Sequence, residues 1–472
     1  MSSNVEKIHA ASMKILERTG MRFLHPDALS ILKENGIRVE GDTAYFTEEE
    51  LMKWVKLAPA EARLYAEDSD YDMTLGGDRR YRGPCGGSTF IMDRDGNKRD
   101  ALLEDFIRLT KLFEGNPAFH LAGGLACQPQ DVPTVHTIEL LALATMLHTR
   151  KCLFMASGDY ATMESLVKLV CARYDLSVEE LKERPRFCTI ANTNTALMLD
   201  KTMTETIITM ARYRQPCIIA SAAMAGTTSP VTLAGTIAIV NAEVLASIAL
   251  AQMVSPGTPV IYGSQSTNAD MATCAIAIGS PEGALCYKYC AQMAKFYGLP
   301  CRGGGSLTDA KALDAQAGYE SMLVCMASQE NGINIMTQSA GIMESYLSVS
   351  YEKLMVDFEI IDFVDRYLRD IEVDEDTVPL DLIHELGHGG QYLLEDHTLE
   401  FCREELQMPR ISVRGPREEP AAQLQRNIDQ RMERLLESYR KPEVSAETLD
   451  ALRTLFRERG VEDKHIDMAM GL

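Results

Sequence analysis

From about residue 118 this 472-residue chain repeats one pattern: an apolar run ends in small polar residues, and a helix-length segment follows. The runs are AFHLAGG near 120, KCLFMASGD near 154, RFCTIANTN near 189, PCIIASAAMAG near 219, TPVIYGSQS near 260, LPCRGGGS near 302 and INIMTQSAG near 336. They recur roughly every 30–40 residues, the length of one strand, one helix and their loops. Short apolar runs bounded by Gly and Pro suit strands buried on both faces of a parallel sheet. A succession of βα units makes a doubly wound sheet or a closed barrel. Seven runs plus one from either flank make eight, so the expected fold class is α/β, a TIM-type (β/α)8 barrel.

The flanks read differently. Residues 4–19 put Val5, Ile8, Ala11, Ile15 and Leu16 on one helix face, and Thr47 with Glu50 forms a capping box. Residues 71–100 read as β-rich, with turns at Gly76-Gly77 and Asp95-Gly96. Ser280-Pro281-Glu282 starts one barrel helix, and Asp309 is expected to cap another from Ala310 to Ser328. Ile428, Met432, Leu435 and Leu436 recur at helical spacing in a charged C-terminal stretch. The expected organisation is an N-terminal helical and β-rich extension over 1–100, the barrel over 101–410, and a C-terminal helical tail over 411–472 packed on its outside.

The formal net charge of −21 makes nucleic acid and anionic membranes poor partners. No run near 18 apolar residues lacks a polar break, so no membrane span is expected. The first residues lack the basic and apolar regions of a signal peptide. Twelve cysteines sit mostly in apolar runs, which reads as buried free thiols in a reducing, cytoplasmic setting.

Barrel chemistry belongs at the C-terminal ends of the strands. Here those ends are rich in Gly, Ser, Asn and Gln and poor in His and acids. A hydrolase would want a nucleophile with a base, or a metal; a site that only holds and orients a ligand needs neither. Arg302-Gly303-Gly304-Gly305 lacks the spacing of a phosphate loop. His384-Glu385-Leu386-Gly387-His388 matches HExxH, but its glycines disfavour the helix a zinc site needs. No protein-bound metal is expected.

The runs AAMAGTTSPVTLAGTIAIVNAEVLASIALAQMVSPGTPVIYGS, GLPCRGGGSLTDAKALDAQAGYES, GIMESYLSVSYEKLMVDFEI and GHGGQYLLEDHTLEFCREELQMPR resemble the trimethylamine:corrinoid methyltransferase superfamily. The resemblance spans about residues 5–460. It implies a TIM-type barrel that moves a methyl group from an amine to the cobalt of a corrinoid (cobalamin-type cofactor) carried by a separate protein. Trimethylamine-specific members carry pyrrolysine; this chain has only standard residues and is similar to the branch that demethylates quaternary amines such as glycine betaine, proline betaine, carnitine and γ-butyrobetaine. It departs from many relatives at Asn192–Leu197, at Gln338 and at His388, so no single relative's substrate is carried over.

On this reading the partners are a small quaternary amine and a cognate corrinoid protein, with a homo-oligomer compatible with both. Phe90, Tyr262 and Tyr346 are expected to face the ammonium, and Glu344 to offset its charge. Arg302, Gln338 or His388 is expected to hold a carboxylate, while Gly303, Gly304 and Gly305 are expected to face the corrinoid. Other readings are a trimethylamine, thiol or methanol corrinoid methyltransferase, and a non-catalytic betaine-binding barrel.

Overall fold

A computed structural model describes residues 3–416 and 419–471. Every one of the seven runs forms a strand, and all seven join one parallel sheet. They are β2 (Leu121–Gly123), β3 (Cys152–Phe154), β4 (Phe187–Asn192), β5 (Cys217–Ser221), β6 (Val260–Ser264), β7 (Cys301–Gly304) and β8 (Ile335–Thr337). The missing strand, β1, is Tyr81–Arg82, which pairs in parallel with β8 through Tyr81 opposite Ile335. The ring closes where the His120 amide donates to the Arg82 carbonyl at 3.1 Å. The barrel therefore begins inside the stretch read as an extension. Two residues are too short to show an apolar run.

A helix follows every strand: α1 (Leu103–Glu114), α2 (Thr137–His148), α3 (Tyr160–Tyr174), α4 (Lys201–Arg212), α5 (Leu233–Val254), α6 (Pro281–Tyr297), α7 (Ala315–Glu330) and α8 (Tyr351–Leu368). Their boundaries follow local chemistry. Ser280 caps α6 through the Gly283 amide, Pro281 takes the first helical position, and Gly298 ends the helix at φ 69°. Asp309 caps nothing. It accepts instead from the Ile278 and Gly279 amides at 2.9 Å, and Asp314 caps the shorter α7. Helix α5 is long and apolar enough to cross a membrane by composition, against the expectation from sequence. Its apolarity has another cause: it is wedged between the barrel and the helices Asn4–Arg18 and Glu48–Val55.

Strand alternation divides the apolar residues into two sets. Leu153, Phe187, Ile219 and Tyr262 point out to the helices and join the main core. Leu121, Cys152, Phe154, Cys188, Ile218, Ala220, Ile261 and Ile335 point inward. The hairpin Ala62–Leu64/Met73–Leu75 plugs the N-terminal end of the barrel, adding Leu64, Met73 and Leu75 to that inner cluster. The Tyr65 amide donates to the Pro185 carbonyl there, and Glu67 to Arg150. The opposite end is left as the mouth.

Outside the barrel, the helix Pro420–Ser438 lies on α8, with Arg431 bonded to Glu359 at 3.1 Å and to Asp362 at 2.9 Å. All twelve cysteines are free thiols and nine are buried. His148, at the end of α2, is 2% exposed, and burial pushes its pKa down to about 4. The unfolded chain takes up that proton near pH 6.5, the native chain only near 4. Stability from this residue is complete above pH 6.5 and falls as pH drops from 6.5 to 4, by on the order of 3 kcal/mol. The melting temperature is expected to fall across that window, and less steeply in His148→Gln.

Candidate active site

Parallel pairing sets Asn192 beside Ala220, Ala220 beside Gly263, and Gly263 beside Arg302. Partners in a parallel ladder share a face, and Ala220 faces inward, so all four project into the barrel. A side chain at Gly263 would meet the Ala220 Cβ at 2.7 Å. The register line is thus two small residues flanked by an amide and a guanidinium.

Arg302 is completely buried. Its Nε donates to Thr337 Oγ1 at 2.6 Å, its Nη1 to the Ser264 carbonyl at 3.1 Å, and its Nη2 to Gln338 Oε1. Thr337 Oγ1 also donates to Gln338 Oε1 at 2.8 Å. All three acceptors are neutral. Among the described residues no carboxylate lies within ion-pair distance of Arg302, and burial lowers its pKa. Lone buried charges are costly, and nearly all are paired. Gln338, held at φ 50°, lies between Arg302 and the mouth. Its Oε1 is committed inward. Its Nε2 has no hydrogen-bond partner among the described residues.

A second cluster stands beside the first. Gln265, just beyond β6, donates from Nε2 to Tyr287 Oη at 2.6 Å and to Tyr346 Oη. Its Oε1 is buried without a partner among the described residues. Tyr287 comes from α6 and reaches the mouth because β7 carries glycines. A side chain at Gly303 would lie 3.0 Å from the Tyr287 ring, and one at Gly304 2.5 Å from its hydroxyl. Tyr346 sits on the β8–α8 connection, where Glu344, Ser345 and Tyr346 have φ of 49°, 55° and 77°. Three successive side-chain-bearing residues in the left-handed region are strained and mark a held turn. Burial raises the pKa of both tyrosines, so their hydroxyls stay protonated.

The structure brings Arg302, Gln338 and Tyr346 together and separates the other expected residues. Tyr262 points out of the barrel, because Gly263 takes the inward position. It donates to Asn241 at 3.0 Å and stacks on Tyr297. Tyr262→Phe is expected to leave kcat/KM unchanged and to cost about 1 kcal/mol of stability through that lost hydrogen bond, read by steady-state kinetics and thermal melting. Glu344 offers no free charge, since it pairs with Lys98 at 3.1 Å and accepts from Ser348 at 2.6 Å. Phe90 is half-buried on a short strand, Phe90–Met92, beside Ser348–Val349, and its main chain bonds to Leu347.

His388 is exposed and far along the chain from the mouth strands. The helix carrying His384 ends at Leu386, and Gly387 at φ 55° turns His388 off its face. Among the described residues no three His, Cys, Asp or Glu gather as a metal site. Gly303, Gly304 and Gly305 are buried and cannot face a partner; Gly305 abuts the Ser339 Cα. The exposed rim is instead Gly87, Gln128, Asn192 and Ala222. Sequence reasoning passed over Gln265, Tyr287 and Thr337. The signal for Gln265 was the inward parity it shares with Ile261 and Gly263.

Clefts of 970 and 910 Å³ open elsewhere, around residues 362–438 and 373–401. The first is lined by Arg366, Arg369, Arg403, Arg410, Arg431 and Arg434, of which Arg410 and Arg431 pair with Asp362 and Arg366 with Glu405. It gathers on the C-terminal half of α8 and the segment 403–410, away from the strand ends that form the mouth.

The fold is a (β/α)8 barrel whose mouth gathers neutral polar groups around one buried cation, an architecture of enzymes. The chain belongs to the trimethylamine methyltransferase (MTTB) family, whose profile matches residues 1–462. It is 37% identical over 462 residues to a glycine betaine methyltransferase of Desulfitobacterium hafniense, covering 97% of this chain and 96% of that one. It is 31% identical over 410 residues to a trimethylamine methyltransferase of Methanosarcina acetivorans, covering 85% and 82%. The monomethylamine methyltransferase structure of Methanosarcina barkeri aligns with a TM-score of 0.45 at 10% identity, covering 93% and 98%. The chain is a methyltransferase of the methylamine and betaine kind.

Proposed function

We propose that this enzyme removes a methyl group from a carboxylated quaternary amine, of which glycine betaine is the smallest, and passes it to the cobalt(I) of a corrinoid held by a partner protein. One observation carries the reading: Arg302, buried inside the barrel, has no counter-ion among the described residues and is relayed to the mouth by the Gln338 amide. A purely cationic amine would be repelled there. A zwitterion places its carboxylate toward Gln338 Nε2 and its ammonium further out.

The corrinoid supplies the nucleophile. A quaternary nitrogen departs as a neutral tertiary amine, so no general acid is required. The chain's own task is orientation and exclusion of water. Gln265, Tyr287 and Tyr346 form the polar wall beside the bound amine. Their hydroxyls stay neutral, so they add no charge against the transferred methyl group. The rim of Gly87, Asn192 and Ala222 carries only small or neutral side chains. A corrinoid presented by a partner protein would meet no charge at these positions.

The test is methyl transfer to cob(I)alamin with glycine betaine, proline betaine, carnitine, γ-butyrobetaine, choline and trimethylamine. Turnover is expected with a carboxylated member and at least about 100-fold less with choline or trimethylamine, the equivalent of about 3 kcal/mol. Equal turnover of choline would overturn the carboxylate reading. No transfer from any of them would overturn the activity itself.

A further inference from the structure

We propose that the arginine-rich cleft on the outside of α8 binds a small anion carrying two or more phosphate groups. The cleft has a volume of 970 Å³, which is that of a small-molecule pocket. Its walls come from three elements: the C-terminal half of α8, the segment 403–410 and the helix Pro420–Ser438. Each wall brings two arginines. Arg366 and Arg369 belong to α8 and its cap, Arg403 and Arg410 to the segment, and Arg431 and Arg434 to the helix. Composition does not account for the gathering, since the whole chain has 47 Lys and Arg against 68 Asp and Glu.

The carboxylates at hand do not balance these cations. Asp362 serves both Arg431, at 2.9 Å, and Arg410, at 3.7 Å. Glu359 also holds Arg431, and Glu405 holds Arg366. Asp365 is committed to Arg82. Glu404 lines the cleft without an ion pair among the described residues, and it offers Arg369 only its carbonyl. Counting Arg82, seven guanidiniums stand against five carboxylates. Among the described residues no carboxylate lies within ion-pair distance of Arg369, Arg403 or Arg434. Arg403 makes no side-chain hydrogen bond there, and Arg434 only one, from Nε to the Gln430 carbonyl at 3.2 Å. Burial and the neighbouring Arg410 charge both lower the Arg431 pKa. Like charges so crowded call for an anion between them.

The arrangement selects the kind of anion. The three unpaired guanidiniums stand on three different walls. A carboxylate accepts within one plane, whereas a phosphoryl group offers three strong acceptor oxygens in a tetrahedral array, and arginine forks match it. Leu406, Met408 and Leu435 share the lining, so the body of an organic phosphate has an apolar surface to lie on. The cleft stands apart from Arg302 and the mouth, so its ligand is not the methyl donor.

Isothermal titration calorimetry of the full chain at fixed ionic strength, with pyrophosphate, ATP, inorganic phosphate, citrate and adenosine, tests the assignment. Pyrophosphate and ATP are expected to bind at least tenfold more tightly than inorganic phosphate or citrate, and adenosine not at all. Arg403→Gln with Arg434→Gln should weaken pyrophosphate binding at least tenfold. Neither arginine has an ion pair, so the change strands no carboxylate and the melting temperature should hold. Lys14→Gln with Lys295→Gln removes the same charge from exposed positions elsewhere and should leave binding within twofold of wild type. Three results would each overturn the proposal: no binding of pyrophosphate or ATP at millimolar concentration, citrate binding as tightly as pyrophosphate, or a cleft variant that binds like the wild type. Equal weakening in the lysine variant would overturn it too, by assigning the effect to net charge.

Discussion

Gln338→Glu is expected to raise KM for the carboxylated substrate about 100-fold while leaving the protein as stable as the wild type or more so. The substitution keeps the length and shape of the side chain. It also gives Arg302 the carboxylate it lacks, so the buried cation becomes an ion pair and the fold gains. The same carboxylate then stands where the substrate's should go. Two like charges about 5 Å apart at an effective dielectric near 20 repel by roughly 3 kcal/mol, which is the 100-fold. Gln338→Met isolates the hydrogen bond: the relay is lost without a new charge, and KM should rise about tenfold. Thermal melting separates both effects from misfolding. Wild-type KM in Gln338→Glu would remove Gln338 from the substrate site.

Lys353→Met is expected to be among the most damaging substitutions on α8, at about 3–5 kcal/mol of stability. Lys353 and Asp357 are both fully buried and bonded to each other. Lys353 Nζ also donates to Ser321 Oγ at 2.8 Å, and Asp357 accepts from the Gly341 amide at 2.7 Å. Burial pushes the Asp357 pKa up to about 6 even with its partner present. Removing the ammonium strands a carboxylate in an apolar interior. Gly341 begins the turn that carries Glu344 through Tyr346, so the loss should reach the mouth and lower kcat as well. Lys353→Met with Asp357→Leu should recover much of the stability, since both charges are gone. Chemical denaturation of the single and double variants measures the difference. A single variant within 1 kcal/mol of wild type would show that the pair is dispensable.

Most of the barrel is legible in the sequence because each buried parallel strand needs its own apolar run, and seven of the eight announce themselves. The eighth does not, since Tyr81–Arg82 contributes one inward tyrosine and one outward arginine. The site is legible by position and not by direction. Tyr262 and Gly263 are neighbours at a strand end, and only the parity set by Ile218 and Ile261 decides which faces the ligand. Arg302 is readable as a residue, yet its meaning depends on the absence of a nearby carboxylate, which is a fact of packing. The glycines after it invite a reading as an approach for a partner. They serve instead to admit Tyr287 from the neighbouring helix, a role visible only once α6 is laid against β7. His388 misleads because expectation alone puts it at the mouth, and the segment that carries it is exposed, fifty residues past β8.

The closure of the ring through β1 bears on time as well as shape. Strands β2 to β7 each find a neighbour one βα unit further along, so the strands from β2 to β8 can add in the order in which they are made. Tyr81 must wait for Ile335, more than half the chain later. A join across so long a span is slow, because the entropy of the intervening loop must be surrendered before the contact returns anything. Until β8 exists, the plugging hairpin and β1 have only an incomplete wall to sit against. The cylinder is therefore finished last at its thinnest seam, and the Arg302–Gln338 pair, on β7 and just past β8, is completed in that final step.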